Sequence, residues 1–157
     1  MNHLFQMVRF NESENYYSNI DDIDIDILNE YSQNLLHHAV AKDRVEIAVD
    51  LIARGINVNQ KDYNGQTPLH YAAVHRRTEI VREIINGGGD VNIRDNYGNN
   101  ALWTAVFNAR GNYEIVKLFT DKGGDALTKN KAGRSPLDFA RQIGDKKLIE
   151  ILTRSSV

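Results

Sequence analysis

The chain has 157 residues, 41% hydrophobic and 25% charged, with a net charge of −2 and no cysteine. This is the composition of an ordinary soluble domain, and without cysteine it has neither disulfide staples nor thiolate-ligated metal. No apolar run approaches a membrane span, and the start, MNHLFQMVRFNESE, lacks the basic segment, apolar block and cleavage site of a signal peptide.

Residues 1–28 are predicted to hold a short helix on Leu4, Phe5, Met7 and Val8 and a second on Tyr16, Tyr17 and Ile20. The first thirty residues set Glu12, Glu14, Asp21, Asp22, Asp24, Asp26 and Glu30 against Arg9 alone, a local charge of −6 that leaves +4 for the remainder. Like charges gathered at one end steer a partner of opposite sign, or simply keep that end solvated. Ile23-Asp24-Ile25-Asp26 matches Ile56-Asn57-Val58-Asn59 at an offset of 33 residues. Residues 1–28 are therefore expected to be an atypical first copy of a repeating unit.

The unit is clear from residue 29 onward. Asn29 to Asp62 and Asp62 to Asp95 are steps of 33 residues, and Asp95 to Asn130 is one of 35, with the two-residue insertion placed near Asn108–Arg110. At matched positions Asn34, Thr67, Asn100 and Ser135 suit helix starts, where a side-chain oxygen accepts from a free backbone N–H. Pro68 and Pro136 follow two of them, at a position whose N–H has no helical partner. Leu36, Leu69, Leu102 and Leu137 are each followed three places on by alanine, at 39, 72, 105 and 140, which lets helices approach closely. A second helix carries Ile47, Ile80, Ile115 and Leu148, with Leu51, Ile84, Phe119 and Leu152 one turn on. Gly55, Gly88 and Gly123 then stop it in a left-handed conformation.

These steps divide the chain into 29–61, 62–94, 95–129 and a last unit at 130–157 with a short polar tail beyond Leu152. In the first, Ser32 and Leu35 replace the turn glycine and the proline; in the third, Trp103 stands where His70 does. There the first helix is expected to lengthen, or its connection to Tyr113 to bulge.

The run Gly65-Gln66-Thr67-Pro68-Leu69-His70-Tyr71-Ala72-Ala73, with Glu79-Ile80-Val81 and Gly89-Asp90-Val91-Asn92, resembles the ankyrin repeat over residues 29–152. The resemblance implies an all-α solenoid of stacked helix-turn-helix units with β-turn fingers, used to bind other proteins. It also implies that His37 and His70 make local hydrogen bonds tying turns together. One domain, 1–157, accounts for the chain.

Other constellations fall short of chemistry. Asp22-Ile-Asp24-Ile-Asp26 starts like a calcium loop, but the required glycine and glutamate are Ile27 and Gln33. Gly87-Gly88-Gly89 follows a helix rather than a strand, so it ends a helix and holds no dinucleotide. His38 and His75 are expected on the exposed side, and His70 and His75 miss the spacing of a helical zinc pair. No serine or threonine has a nucleophile's surroundings, so no catalysis, cofactor or metal is expected. The C-terminal lysines and arginines are interspersed with Asp125, Asp138, Asp145 and Glu150, which is no phosphate-binding stripe, so no nucleic acid is expected.

The repeat register leaves finger tips and the outward side of each first helix for a partner. The finger residues are Glu30, Tyr31, Tyr63, Asn64, Asn96, Tyr97 and Lys131, and the helix residues Lys42, Val74, His75, Phe107 and Asn108. The tyrosines form a row of anchors or pack on adjacent fingers, and Phe107 is exposed beside the insertion or folds back beneath it. A self-contained, cysteine-free chain of this kind looks like the small bacterial ankyrin proteins that act as immunity proteins against toxins. Its acidic end suits a basic nuclease-type toxin domain. A cytoplasmic protein, monomeric when unbound, is expected. The alternatives are an ankyrin scaffold or secreted effector that binds host proteins, and, from another class, an enzyme or metal protein.

Overall fold

Asn29, Asp62, Asp95 and Asn130, the residues that mark the period, each fold the backbone back onto their own side chains. In the computed structural model, which describes residues 3–10 and 12–154, Asp62 Oδ1 accepts from the N–H of Asn64 at 2.9 Å and of Gln66 at 2.8 Å. Asp95 accepts likewise from Tyr97 and Asn99, Asn130 from Ala132 and Arg134, and Asn29 from Tyr31 and Gln33. A short side-chain acceptor closes the turn without help from the rest of the chain. The turn glycines Gly65, Gly98 and Gly133 have φ of 74°, 81° and 75°, and Ser32 takes their place at 58°.

One helix pair precedes these turns and one follows each of them. The pairs are α1 (His3–Phe10) with α2 (Ser13–Asn19), α3 (Leu35–Ala41) with α4 (Val45–Ala53), and α5 (Pro68–His75) with α6 (Thr78–Asn86). They continue with α7 (Ala101–Asn108) and α8 (Glu114–Asp121), then α9 (Pro136–Ile143) and α10 (Lys146–Arg154). Among the described residues there are ten α-helices and no strand, so the architecture is the all-α repeat solenoid.

The expected helix starts are all used. Asn34, Thr67, Asn100 and Ser135 have extended backbones, and Asn100 Oδ1 accepts from the Trp103 N–H at 2.8 Å. Pro68 and Pro136 stand at the first helical position. Gly55, Gly88 and Gly123 end the second helices at φ of 86°, 92° and 78°. α7 is no longer than α5; the two extra residues widen the connection to Tyr113, which turns at Arg110 and Gly111 with φ of 45° and 85°. α10 runs on to Arg154, and the rest of the expected tail, 155–157, lies outside the described residues, as do 1, 2 and 11 of the first unit.

Two helix layers result. The first helices pack in the order α1, α3, α5, α7, α9, and the second helices in the order α4, α6, α8, α10. Leu36, Leu69 and Leu102 are fully buried between layers with Ile47, Ile80 and Phe119, and each such side chain is worth about 1.5–3 kcal/mol. Ala39, Ala72, Ala105 and Ala140 are buried as well, which lets the first helices sit close.

Neighbouring fingers are joined by the backbone. Tyr63 N–H donates to the Tyr31 carbonyl at 3.0 Å, Asn96 to Asn64 at 2.8 Å and Lys131 to Tyr97 at 2.9 Å. Beneath them His37 Nε2 reaches the Gln66 carbonyl and His70 Nε2 the Asn99 carbonyl, both at 3.1 Å. A carbonyl can only accept, so each ring donates from Nε2; at His70 Nδ1 then accepts from the Thr67 N–H, while at His37 Nδ1 lies 2.8 Å from Asn34 Oδ1.

Candidate functional site

Each finger is held at its base by its turn side chain and at its flank by a neighbouring finger, and among the tip residues the Asn96 amide donates to the Tyr63 carbonyl at 2.7 Å. Glu30, Asn64, Asn96 and Lys131 are exposed there, and Tyr31, Tyr63 and Tyr97 are exposed by 55%, 67% and 66%. Tyr63 lies one place earlier on its finger than Tyr31 and Tyr97 do on theirs. Among the described residues none of the three rings contacts another ring and none of the hydroxyls has a hydrogen-bond partner. The tyrosines therefore do not pack on one another.

The first helices form the floor beside the fingers. Lys42, Val74 and His75 are exposed, and Asn108 is half-buried with its Nδ2 donating to the Thr104 carbonyl at 2.8 Å. Phe107 neither stands alone nor folds beneath the insertion. Its ring lies 5.4 Å from that of Phe139 on α9, with 59% of the residue still exposed. Trp103 completes the group at 5.6 Å from the same Phe139 ring. Trp103 takes the place of the bridging histidine, so that unit lacks the ring-to-carbonyl bridge, keeps the other links to the next finger and adds an aromatic contact to the next helix. Phe139 escaped the sequence reading because partner positions came from matched places in the repeat, where its counterparts are Thr104, Tyr71 and His38.

His38 corrects the expectation of exposure. It is half-buried, with its ring edge-on to Phe5 of α1 at 5.0 Å and Nε2 3.1 Å from the Asn29 amide. Burial, then the neighbouring charges of Arg9 and Lys42, push its imidazole down to about 4. Burial alone outweighs the carbonyl of Gln66 at His37, which falls to about 4 as well. Beside these rings, between α1, the first finger and α3, lies a cleft of about 390 Å³ that also touches Tyr71 of α5. Its hydrogen bonds run in a chain: Asn29 Nδ2 to Gln33 Oε1 at 2.9 Å, Gln33 Nε2 to the Tyr71 hydroxyl at 2.6 Å, and that hydroxyl to Asp62 at 2.9 Å. Arg9, Gln33 and Tyr71 were not singled out in the sequence, because the cleft exists only once α1 docks on α3.

The acidic end is on the surface: Asp21, Asp22, Asp24 and Asp26 are exposed, with Asp21 paired to Arg54 at 2.5 Å. Among the described residues no three His, Cys, Asp or Glu side chains are grouped to hold a metal ion. No helix among them is long and apolar enough to cross a membrane.

A family model described as ankyrin repeats (3 copies) matches residues 4–95 and 36–130. Over 121 residues, 77% of this chain, the sequence is 27% identical to the potassium channel GORK of Arabidopsis thaliana. The chain spans 10% of that channel's length.

Proposed function

This chain belongs to the ankyrin-repeat family, and we propose that it is a non-catalytic module whose fingers and first helices hold another protein. Repeats of this family bind other proteins, and stacked units offer an extended surface for doing so. The observation that carries the reading is the row of unpartnered tyrosines at 31, 63 and 97 beside the exposed Phe107. Rigid aromatic side chains with a polar tip are the commonest anchors of protein interfaces. Glu30, Lys42, Asn64, Val74, His75, Asn96, Asn108 and Lys131 complete the surface, and residues 1–157 act as one domain of five units.

The reading extends to a partner: a basic, nuclease-type toxin domain, for which this chain is the bacterial, cytoplasmic immunity protein, monomeric until it binds. Its support is the acidic first unit, whose exposed carboxylates imitate a phosphate backbone. Co-expression of a basic nuclease-type toxin domain from the native cell's genome, with and without the chain, tests the extension. Rescue of growth supports it, and death in both cultures removes it.

A second reading, a docking module within a scaffold, is favoured by the likeness to a channel of which this chain spans 10%. Either way, Tyr63→Ala with Tyr97→Ala is expected to abolish capture of the partner with the melting temperature unchanged.

A further inference from the structure

The cleft at the N-terminal end of the groove has a volume of about 390 Å³. That lies within the roughly 300–1,000 Å³ typical of sites that enclose a small organic group. Its lining is largely apolar and includes the half-buried His38, Tyr71 and Ala41, with His37 fully buried behind them. The polar atoms on its floor are committed to the chain from Asn29 through Gln33 and Tyr71 to Asp62. The charge at the mouth is positive, with the Arg9 guanidinium resting over the exposed Phe10 ring at 5.8 Å. Arg9 and Lys42 are exposed there, and neither is paired with a carboxylate among the described residues. The Tyr31 hydroxyl is a third free donor.

No carboxylate lines the cleft. That is unexpected for its place in the chain, since the first thirty residues hold seven carboxylates and one guanidinium. The fold sets the guanidinium at the cleft and leaves Asp21, Asp22, Asp24 and Asp26 elsewhere on the surface. Arg9 on α1 and Lys42 at the end of α3 line the same cleft from different elements.

We propose that this cleft receives a carboxylate carried on an apolar stem, presented by the bound partner as a chain terminus or an acidic side chain. Arg9 and Lys42 donate to the two carboxylate oxygens, and the half-buried Tyr71 and His38 cover the stem. Donors of this kind are short-range and charge-assisted, and the carbon walls strengthen them by keeping water away. The source of the carboxylate rests on the proposed protein-binding function; the site itself does not.

Titration of the full chain with N-acetylphenylalanine, followed by backbone amide NMR, tests the site. Saturable shifts at Asn29, Tyr31 and Ala41 are expected, with a dissociation constant on the order of 1 mM. N-acetylphenylalaninamide and inorganic phosphate are expected to leave those signals unmoved. Arg9→Gln with Lys42→Gln should weaken binding at least about tenfold, and Arg9→Lys with Lys42→Arg should largely retain it. Equal shifts from acid, amide or phosphate overturn the proposal, as does undiminished binding by the folded glutamine variant. Pentapeptides then distinguish the source: one with a free C-terminus, its amidated twin, and an amidated one with an internal glutamate. Displacement by the first alone assigns a chain terminus, displacement by the third assigns a side chain, and displacement by none overturns a peptide source. If the glutamine variant loses the acid but still captures the partner, the partner source falls and the proposed function stands.

Discussion

His37 and His70 each join one unit to the next through an Nε2–H donated to a carbonyl at 3.1 Å, and burial favours the neutral ring at both. Unfolded, His37 takes up its proton below about 6.5, but folded only below about 4, so the unfolded state holds more protons between those values. Stability is therefore complete above the upper value and is lost as pH falls through that window. At about 1.4 kcal/mol per unit of pKa, His37 alone accounts for about 3 kcal/mol. His38 and His70 are shifted the same way, each by burial first. Urea midpoints should fall steadily from pH 7 to 4.5; a flat profile would contradict neutral burial.

Gly65 presents the opposite kind of constraint, one of space. Its φ is 74°, and a Cβ there would stand 2.7 Å from Asn96 Oδ1 and 2.9 Å from Asn96 N. Gly65→Ala combines left-handed strain of about 1–2 kcal/mol with a clash against the next finger's backbone, so a loss of at least about 2 kcal/mol is expected. Chemical denaturation reads it directly. A loss below about 0.5 kcal/mol, the scatter of surface substitutions, would mean the fingers are not in contact.

At the scale of elements, the first helix pair is tied to the second by one buried phenol. Tyr16 of α2 is fully buried and donates to Asp50 of α4 at 2.7 Å, and Asp50 also accepts from Arg54 at 2.7 Å. Tyr16→Phe keeps the packing and removes the bond, for an expected loss of about 1 kcal/mol. Amide exchange should quicken in α1 and α2 before it does in α6, and uniform quickening would refute a local tie.

Elements were legible wherever their signals recur. Turn acceptors, caps, leucines and glycine stops repeat at equal spacing, so each unit supports the assignment of the others. The site was legible only at positions that share that spacing. Tyr31, Tyr63 and Tyr97 could be placed on fingers because the turn before each is marked by Asn29, Asp62 or Asp95. Phe139 and Arg9 could not. The first depends on which way Phe107 leans after the insertion, and the second on how α1 sits over α3. Both are tertiary facts: Arg9 shares the register position of Lys42 and His75, and Phe139 that of Tyr71, but spacing alone does not say what each packs against. His38 belongs with them: Phe5, thirty-three residues earlier, covers it, while His75 has no such cover.

The whole molecule is a stack in which each unit touches its neighbours, and stability is distributed along it as a sum of nearest-neighbour terms. Such a stack leaves one continuous surface of fingers and first helices that its own packing does not consume. The central claim is that this surface, through its tyrosine row, is what a protein partner grips. The most direct measurement compares the intact chain with the variant Tyr63→Ala, Tyr97→Ala as baits in lysate of the native cell, quantifying every retained protein. A protein held by the intact chain and lost from the variant, with both baits melting at the same temperature, is the predicted result. Equal retention of the same proteins by both baits would contradict it.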